Sequence, residues 1–130
     1  MKYIVTGGAG FIGSNLVDLL IDEGHKVDVI DNFSSGKKEN CNNKAKYHNI
    51  DISDQSNYDE LKKILEKSDG VFHLAALPRV QESIDNPLHF EKNNTLSTIN
   101  ILKACVDMNI KRLVYSASSS AYGNTINLPS

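Results

Sequence analysis

The stretch TGGAGFIG, Thr6 to Gly13, places four glycines between a short apolar run and an amphipathic one. That spacing predicts a strand running in, a glycine turn, and a helix running out. Taken as Gly8, Gly10 and Gly13 the run fits GxGxxG; taken as Gly7, Gly10 and Gly13 it fits GxxGxxG. Both alternatives set a phosphate at the helix start. One glycine permits the sharp turn, one lets the backbone approach a pyrophosphate, and one lets the helix lie close on the sheet. Free backbone N–H groups and the positive end of the helix dipole then face the anion. The glycines followed by Ser14 also fit part of a P-loop, but the lysine that reaches the terminal phosphates is missing, which sets that alternative aside.

A glycine cluster by itself is no more than a tight turn, so its surroundings decide. Lys2 to Val5 has the pattern of a short buried strand, Phe11 to Glu23 carries Ile12, Leu16, Leu19 and Leu20 on one helical face, and Gly24 sits where a helix ends. Lys26 to Ile30 is a second strand, ending at Asp31. A carboxylate there accepts hydrogen bonds from the ribose hydroxyls of an unphosphorylated dinucleotide and repels a 2′-phosphate. The polar stretch after it has no clear period and is expected to be a loop with at most a turn of helix. Asn32, Phe33, Ser34, Ser35 and Gly36 are positioned there to wrap the adenosine ribose beside Asp31, while Lys37 and Lys38 leave an opening for a 2′-phosphate.

Tyr47 to Ile50 is a third strand ending at Asp51, with Ser53 or Asp54 capping the next helix. Tyr58, Leu61, Ile64 and Leu65 fall on one face of that helix. Gly70 to Leu74 is a fourth strand running into the small residues Ala75 and Ala76, which let a flat ligand come close. Its His73 is expected to be a hydrogen-bonded structural residue. Asn86 as N-cap and Pro87 as first residue open a helix expected to run to about Asn109, with Leu88, Thr95, Ile99, Leu102 and Val106 as its buried stripe and Asn94 and Asn100 inside it. Arg112 to Ser116 is a fifth strand. The alternation predicts an α/β fold, a doubly wound parallel sheet of order 3-2-1-4-5, with its crevice between strands 1 and 4.

With 130 residues the chain is one domain by length, large enough for a core. A net charge of −2 gives no basic footprint for nucleic acid or an anionic membrane. The N-terminal apolar run is too short for a signal peptide or a membrane span. Cys41 and Cys105 have neither metal nor disulfide spacing, and no histidine has a ligand partner at zinc spacing. The expectation is a cytoplasmic protein with a small organic ligand, no metal, no nucleic acid and no membrane.

Together, TGGAGFIG, Asp31-Asn32, Asp51-Ile52, HLAA at His73 to Ala76, Asn94, and SASSSAYG at Ser116 to Gly123 resemble the extended short-chain dehydrogenases/reductases that act on nucleotide sugars. The resemblance spans nearly the whole chain. Within the family, HLAALPRVQESIDNP and the triple serine Ser118, Ser119, Ser120 are most similar to UDP-hexose 4-epimerases, especially those taking N-acetylated sugars. The resemblance implies a Rossmann-type, NAD-binding domain over residues 1–130, a UDP-hexose substrate, and a homodimer in the full-length form. It places Gly7, Gly10 and Gly13 with the backbone N–H groups of Phe11 and Ile12 at the pyrophosphate, Asp31 at the adenosine ribose, and Asp51 with Ile52 at the adenine. Leu74, Ala75, Ala76 and Asn94 would line the cofactor near its phosphates and nicotinamide-side ribose, and Ser116 belongs to the same cofactor-binding set. Ser118 matches the family's catalytic Ser/Thr, beside Ser119 and Ser120 in the substrate site.

Dehydratases of the family carry an acid pair after that residue, and decarboxylases a glutamate at the second position. Serines there cannot do general acid/base work at ordinary pKa values. Epimerisation, in which hydride leaves C4 for NAD and returns to the other face, is the implied reaction. A dehydratase or decarboxylase portion, or a non-enzymatic dinucleotide-binding module, are the alternatives. The family's base is a tyrosine in YxxxK after strand 5, and the chain reaches Ser130 without it. Tyr58 with Lys62 makes the spacing by coincidence, and Tyr122 is followed four residues later by Ile126. The expectation is an incomplete domain, the N-terminal portion of a longer epimerase, lacking the later strands and the C-terminal substrate domain and inactive alone.

Overall fold

Short runs rich in Val and Ile form five parallel strands, β1 Lys2–Thr6, β2 Lys26–Ile30, β3 Lys46–His48, β4 Gly70–His73 and β5 Leu113–Tyr115, ordered β3-β2-β1-β4-β5. The computed structural model describes residues 1–77 and 80–123, with Val80, Ser119 and Ser120 described by backbone alone. Pro78, Arg79 and Ile126 lie outside the described residues. The expected Rossmann-type order is the observed one. Thr6 is in register with Ile30 on one side and His73 on the other, so the carboxyl ends of β1, β2 and β4 share one edge.

Alternation along the strands divides the core between the two faces. Val5, Val27 and Val29 meet Val17 and Leu20 of α1 (Phe11–Asp22) on one side. Ile4, Ile30 and Val71 meet Leu61, Ile64 and Leu65 of α2 (Tyr58–Leu65) and Ile101, Ala104 and Cys105 of α5 (Ser97–Asp107) on the other. Gly24 ends α1 as expected, at φ +88°, with His25 N–H donating to Leu20 O at 3.0 Å. Asp54 caps a 3₁₀ turn leading into α2, its carboxylate accepting Ser56 N–H at 2.9 Å, which holds its pKa below the usual carboxylate value. No helix among the described residues is long and apolar enough to cross a membrane.

Two helix faces differ from the sequence expectation. In α1, Ile12 and Leu19 are exposed, and Gly13, Ser14, Val17 and Leu20 are buried. Gly13 and Ser14 are small enough to sit on the glycine loop, which turns the helix toward them and away from its bulkier side chains. The single helix expected from Pro87 is divided into α4 (Pro87–Phe90), a π-helical turn Glu91–Leu96, and α5; a short α3 (Val80–Asp85) precedes it. Asn86 is the N-cap of α4, though its side chain makes no capping bond. Leu88, Thr95, Ile99, Leu102 and Val106 are exposed, while Ser97, Asn100, Ile101, Ala104 and Cys105 are buried. Small residues let α5 approach closely, and buried Asn100 is satisfied by accepting from Gln55 Nε2 at 2.7 Å and donating to Ile52 O at 2.8 Å.

Candidate functional site

The glycine loop turns because Gly7 adopts φ +72°, where a Cβ would stand 2.9 Å from Ala75 N. Gly13 follows the same logic: a Cβ there would lie 2.1 Å from Gly7 O. Gly8 instead packs on the sheet, its missing Cβ only 2.5 Å from Val29. Gly7, Gly10 and Gly13 line the cleft that the loop borders, and Gly8 supplies the close helix-to-sheet approach. Gly10 is the N-cap of α1 and brings no side chain to its first amides, so the N–H groups of the first turn stay available to an anion.

A cleft of about 430 Å³ opens at the shared carboxyl edge. Gly7, Gly10, Phe11, Ile12 and Gly13 form its floor; Asp31, Asn32, Ser34 and Ser35 form one rim, Asp51 and Ile52 the next, and Leu74, Ala75, Ala76 and Ser116 the opposite wall. These are the expected positions except for Phe33, Gly36 and Asn94. Asp31 is buried, with Oδ2 accepting Ala9 N–H at 3.0 Å and Oδ1 accepting Phe33 N–H at 2.8 Å. Each carboxylate oxygen keeps acceptor capacity for a second donor. Phe33, at φ +58°, and Gly36, whose Cβ would meet Ala9 and Asp31, stand behind this acid and brace it. Asp51 turns inward as well, accepting Ser53 N–H at 2.9 Å and Ser53 Oγ–H at 2.6 Å.

Leu74 to Leu77 also border a second cleft, of about 440 Å³, together with His73, Asn94, Thr98, Tyr115 and Ser118. Asn94 is here because its amide holds Leu77, accepting its N–H at 2.7 Å and donating to its O at 3.2 Å. Ser118 is exposed at this cleft and begins the turn that Ser119–Tyr122 complete; the side chains of Ser119 and Ser120 lie outside the described residues. His73 is buried between Thr6 and Thr98, the hydrogen-bonded structural residue expected from sequence, and burial pushes its pKa down to about 4. Sequence reasoning missed Ile30, Ile50, Leu77, Asn93 and Ser97 in the first cleft. The last two could have been found only by knowing that a π turn widens the helix there.

Tyr58 and Lys62 border neither cleft. Tyr58 Oη donates to Asp107 Oδ2 at 2.5 Å, and its ring lies 5.1 Å from Lys62 Nζ and 4.9 Å from Lys103 Nζ. Burial and the Asp107 carboxylate push its pKa to about 12, the wrong direction for a base. No cluster of three or more His, Cys, Asp or Glu among the described residues is arranged to hold a metal ion. A glycine cradle that a Cβ would block, an uncapped helix start and a buried acid at the tip of β2 together fit an unphosphorylated dinucleotide.

The chain matches the NAD dependent epimerase/dehydratase family over residues 3–130. It is 42% identical over 131 residues to a UDP-glucose 4-epimerase of Lactobacillus helveticus, covering 99% of this chain and 39% of that protein. Among solved structures it is similar to the UDP-N-acetylglucosamine 4-epimerase from Methanobrevibacter ruminantium M1 in complex with UDP-N-acetylmuramic acid, at 45% identity and a TM-score of 0.89, covering 98% of this chain and 41% of that one. A UDP-glucose 4-epimerase of Thermus thermophilus in complex with NAD is 32% identical with a TM-score of 0.83, covering 91% and 38%. The chain thus spans about two fifths of the length of these relatives.

Proposed function

The chain belongs to the NAD dependent epimerase/dehydratase family, and from that premise we propose that it is the NAD-binding portion of a UDP-hexose 4-epimerase, over residues 1–130. The observation that carries this is the shared wall. Leu74 to Leu77 and Ser116 border both the cleft of the glycine loop and Asp31 and the cleft of Ser118, so a cofactor in one adjoins a sugar in the other.

NAD, when bound, supplies a hydride acceptor. The first-turn N–H groups of Phe11 and Ile12 hold the pyrophosphate over Gly7, Gly10 and Gly13. Asp31 accepts from the adenosine ribose hydroxyls, with Asn32, Ser34 and Ser35 beside it and Phe33 and Gly36 behind it. Asp51 and Ile52 border the adenine, and Ala75, Ala76 and Ser116 the far half. Ser118 hydrogen-bonds the sugar hydroxyl that is oxidised, with Ser119 and Ser120 completing that side. A hydroxyl orients such a bond but is too weak a base to take the proton. With Tyr58 and Lys62 engaged elsewhere, the 130 residues alone are expected to bind NAD without turnover. The exposed stripe Ile99, Leu102 and Val106 supports a homodimer, and the free thiols Cys41 and Cys105 support a cytoplasmic setting.

The test is interconversion of UDP-glucose or UDP-N-acetylglucosamine with its galacto epimer, on this chain and on the chain joined to the remaining part of a relative. The joined chain is expected to turn over, and Ser118→Ala in it to lose roughly 10²–10⁴-fold with NAD binding little changed. Turnover by the 130 residues alone would return attention to Tyr58 and Lys62.

A further inference from the structure

Thr6 ends β1 and His73 ends β4, paired in register at the crevice. Thr6 Oγ1 lies 2.7 Å from His73 Nδ1 and also accepts the N–H groups of Leu74 at 3.0 Å and Ala75 at 3.1 Å. A hydroxyl oxygen has two lone pairs and one hydrogen. The two amides, with the Leu74 N–H shared between Thr6 Oγ1 and Thr6 O at 3.2 Å, occupy the lone-pair side, which directs the hydrogen to Nδ1 and leaves that nitrogen bare. A neutral imidazole then carries its proton on Nε2, and Nε2 stands 2.9 Å from Thr98 Oγ1. Thr98 in turn donates to Asn94 O at 2.6 Å, and the Asn94 amide is bonded at both ends to Leu77.

We propose that His73 is a positioning residue, locked as its Nε2–H tautomer, whose one-way run of hydrogen bonds from Thr6 through Thr98 to Asn94 holds the Leu74–Leu77 wall in the shape NAD binding needs. The inference rests on the NAD reading of the first cleft. The ring has no nitrogen left for a substrate, which separates it from a catalyst. It is 1% exposed and stacks on Tyr115 at 5.9 Å between centroids, so water cannot compete for either nitrogen. Its depressed pKa keeps a second proton off Nδ1, where it would collide with the Thr6 hydroxyl hydrogen. The π turn gives Thr98 its role. Where the helix changes pitch, the hydroxyls of Ser97 and Thr98 bond back to Asn93 O and Asn94 O.

Long-range ¹H–¹⁵N spectra of the ¹⁵N-labelled chain read the imidazole tautomer, and calorimetry with NAD on the chain, Thr98→Val and Thr98→Ser reads the wall. A single Nε2–H tautomer for His73, unchanged between pH 8 and pH 5.5, is expected. Thr98→Val is expected to mix the tautomers and weaken NAD about tenfold, the equivalent of one lost buried hydrogen bond, and Thr98→Ser to restore both. An Nδ1–H tautomer or a mixture in the unaltered chain would overturn the proposal, and so would unweakened NAD binding by a folded Thr98→Val. A locked tautomer in a chain that binds no NAD would sink the cofactor reading while upholding the lock. Should Thr98→Val not fold, the tautomer of the unaltered chain still decides.

Discussion

Asp31 does two jobs with one carboxylate. Its oxygens fasten the glycine loop at Ala9 and the next loop at Phe33, and their remaining acceptor capacity faces the cleft. Asp31→Ala is therefore expected to weaken NAD at least about tenfold and to erase a preference over NADP, read by calorimetry with both cofactors. Equal affinity for the two in the unaltered chain would refute the ribose assignment. His73 makes a prediction of another kind. Its folded pKa is about 4 and its ordinary value 6.5, so between the two the unfolded chain binds the extra proton. Its contribution is fully present above pH 6.5, is lost as pH falls below that, and levels off near 4. At pH 5 the loss is about 2 kcal/mol, since a tenfold change in proton occupancy is worth about 1.4 kcal/mol. Urea denaturation at pH 7.5 and pH 5 should show this slope, and His73→Gln should remove it; an unaltered slope would mean the ring is not buried neutral.

Among the elements, α5 fastens the turn at Ile52 through one side chain. Asn100 Nδ2 donates to Ile52 O in the buried interior, and Gln55 reaches it from the exposed side. Asn100→Ala leaves that carbonyl unpaired and should cost about 1–3 kcal/mol, whereas Gln55→Ala removes an exposed side chain and opens Asn100 Oδ1 to water, so it should cost under about 1 kcal/mol. Comparable losses in urea unfolding would place the strength of the link at the surface. Asn100 also marks what the sequence made legible. The strands, their order and the placing of the glycine loop and Asp31 at one cleft follow from signals within a few residues: β-branched runs, glycines whose Cβ would clash, an acid at a strand tip. The buried face of α5 does not, because bulk and apolarity point to Ile99, Leu102 and Val106, while close packing and hydrogen bonding bury Ser97, Asn100 and Ala104. The π turn escapes for the same reason: the hydroxyls of Ser97 and Thr98, just after it, act on its Asn93 and Asn94 carbonyls, which no periodicity reports. Asn94, expected on the cofactor, stands on the second cleft instead, and only the fold shows its amide spent on Leu77.

For the whole molecule, the apolar residues that α5 leaves outside are as informative as those it buries. Ile99, Leu102 and Val106 recur at spacings of three and four, one stripe along the helix, and are 53%, 46% and 79% exposed; Leu88 at the start of α4 is 82% exposed. Scattered exposed apolar residues need no explanation, but a stripe on one helix is what an isologous contact uses, each copy presenting the same face to its mate. The stripe lines neither cleft, so pairing through it leaves both open. The chain is accordingly expected to sediment as a dimer at concentrations on the order of tens of micromolar, where an association worth about 7 kcal/mol suffices. Leu102→Glu would bury an unpaired carboxylate in each copy, a loss that should exceed about 1.4 kcal/mol and so weaken association more than about tenfold. NAD affinity should stay within about twofold, roughly 0.4 kcal/mol, because the substitution touches neither the glycine loop nor Asp31. A monomeric unaltered chain would remove the dimer from the proposal, and a drop in NAD affinity on Leu102→Glu would show that the helix face and the cofactor cleft are coupled through α5.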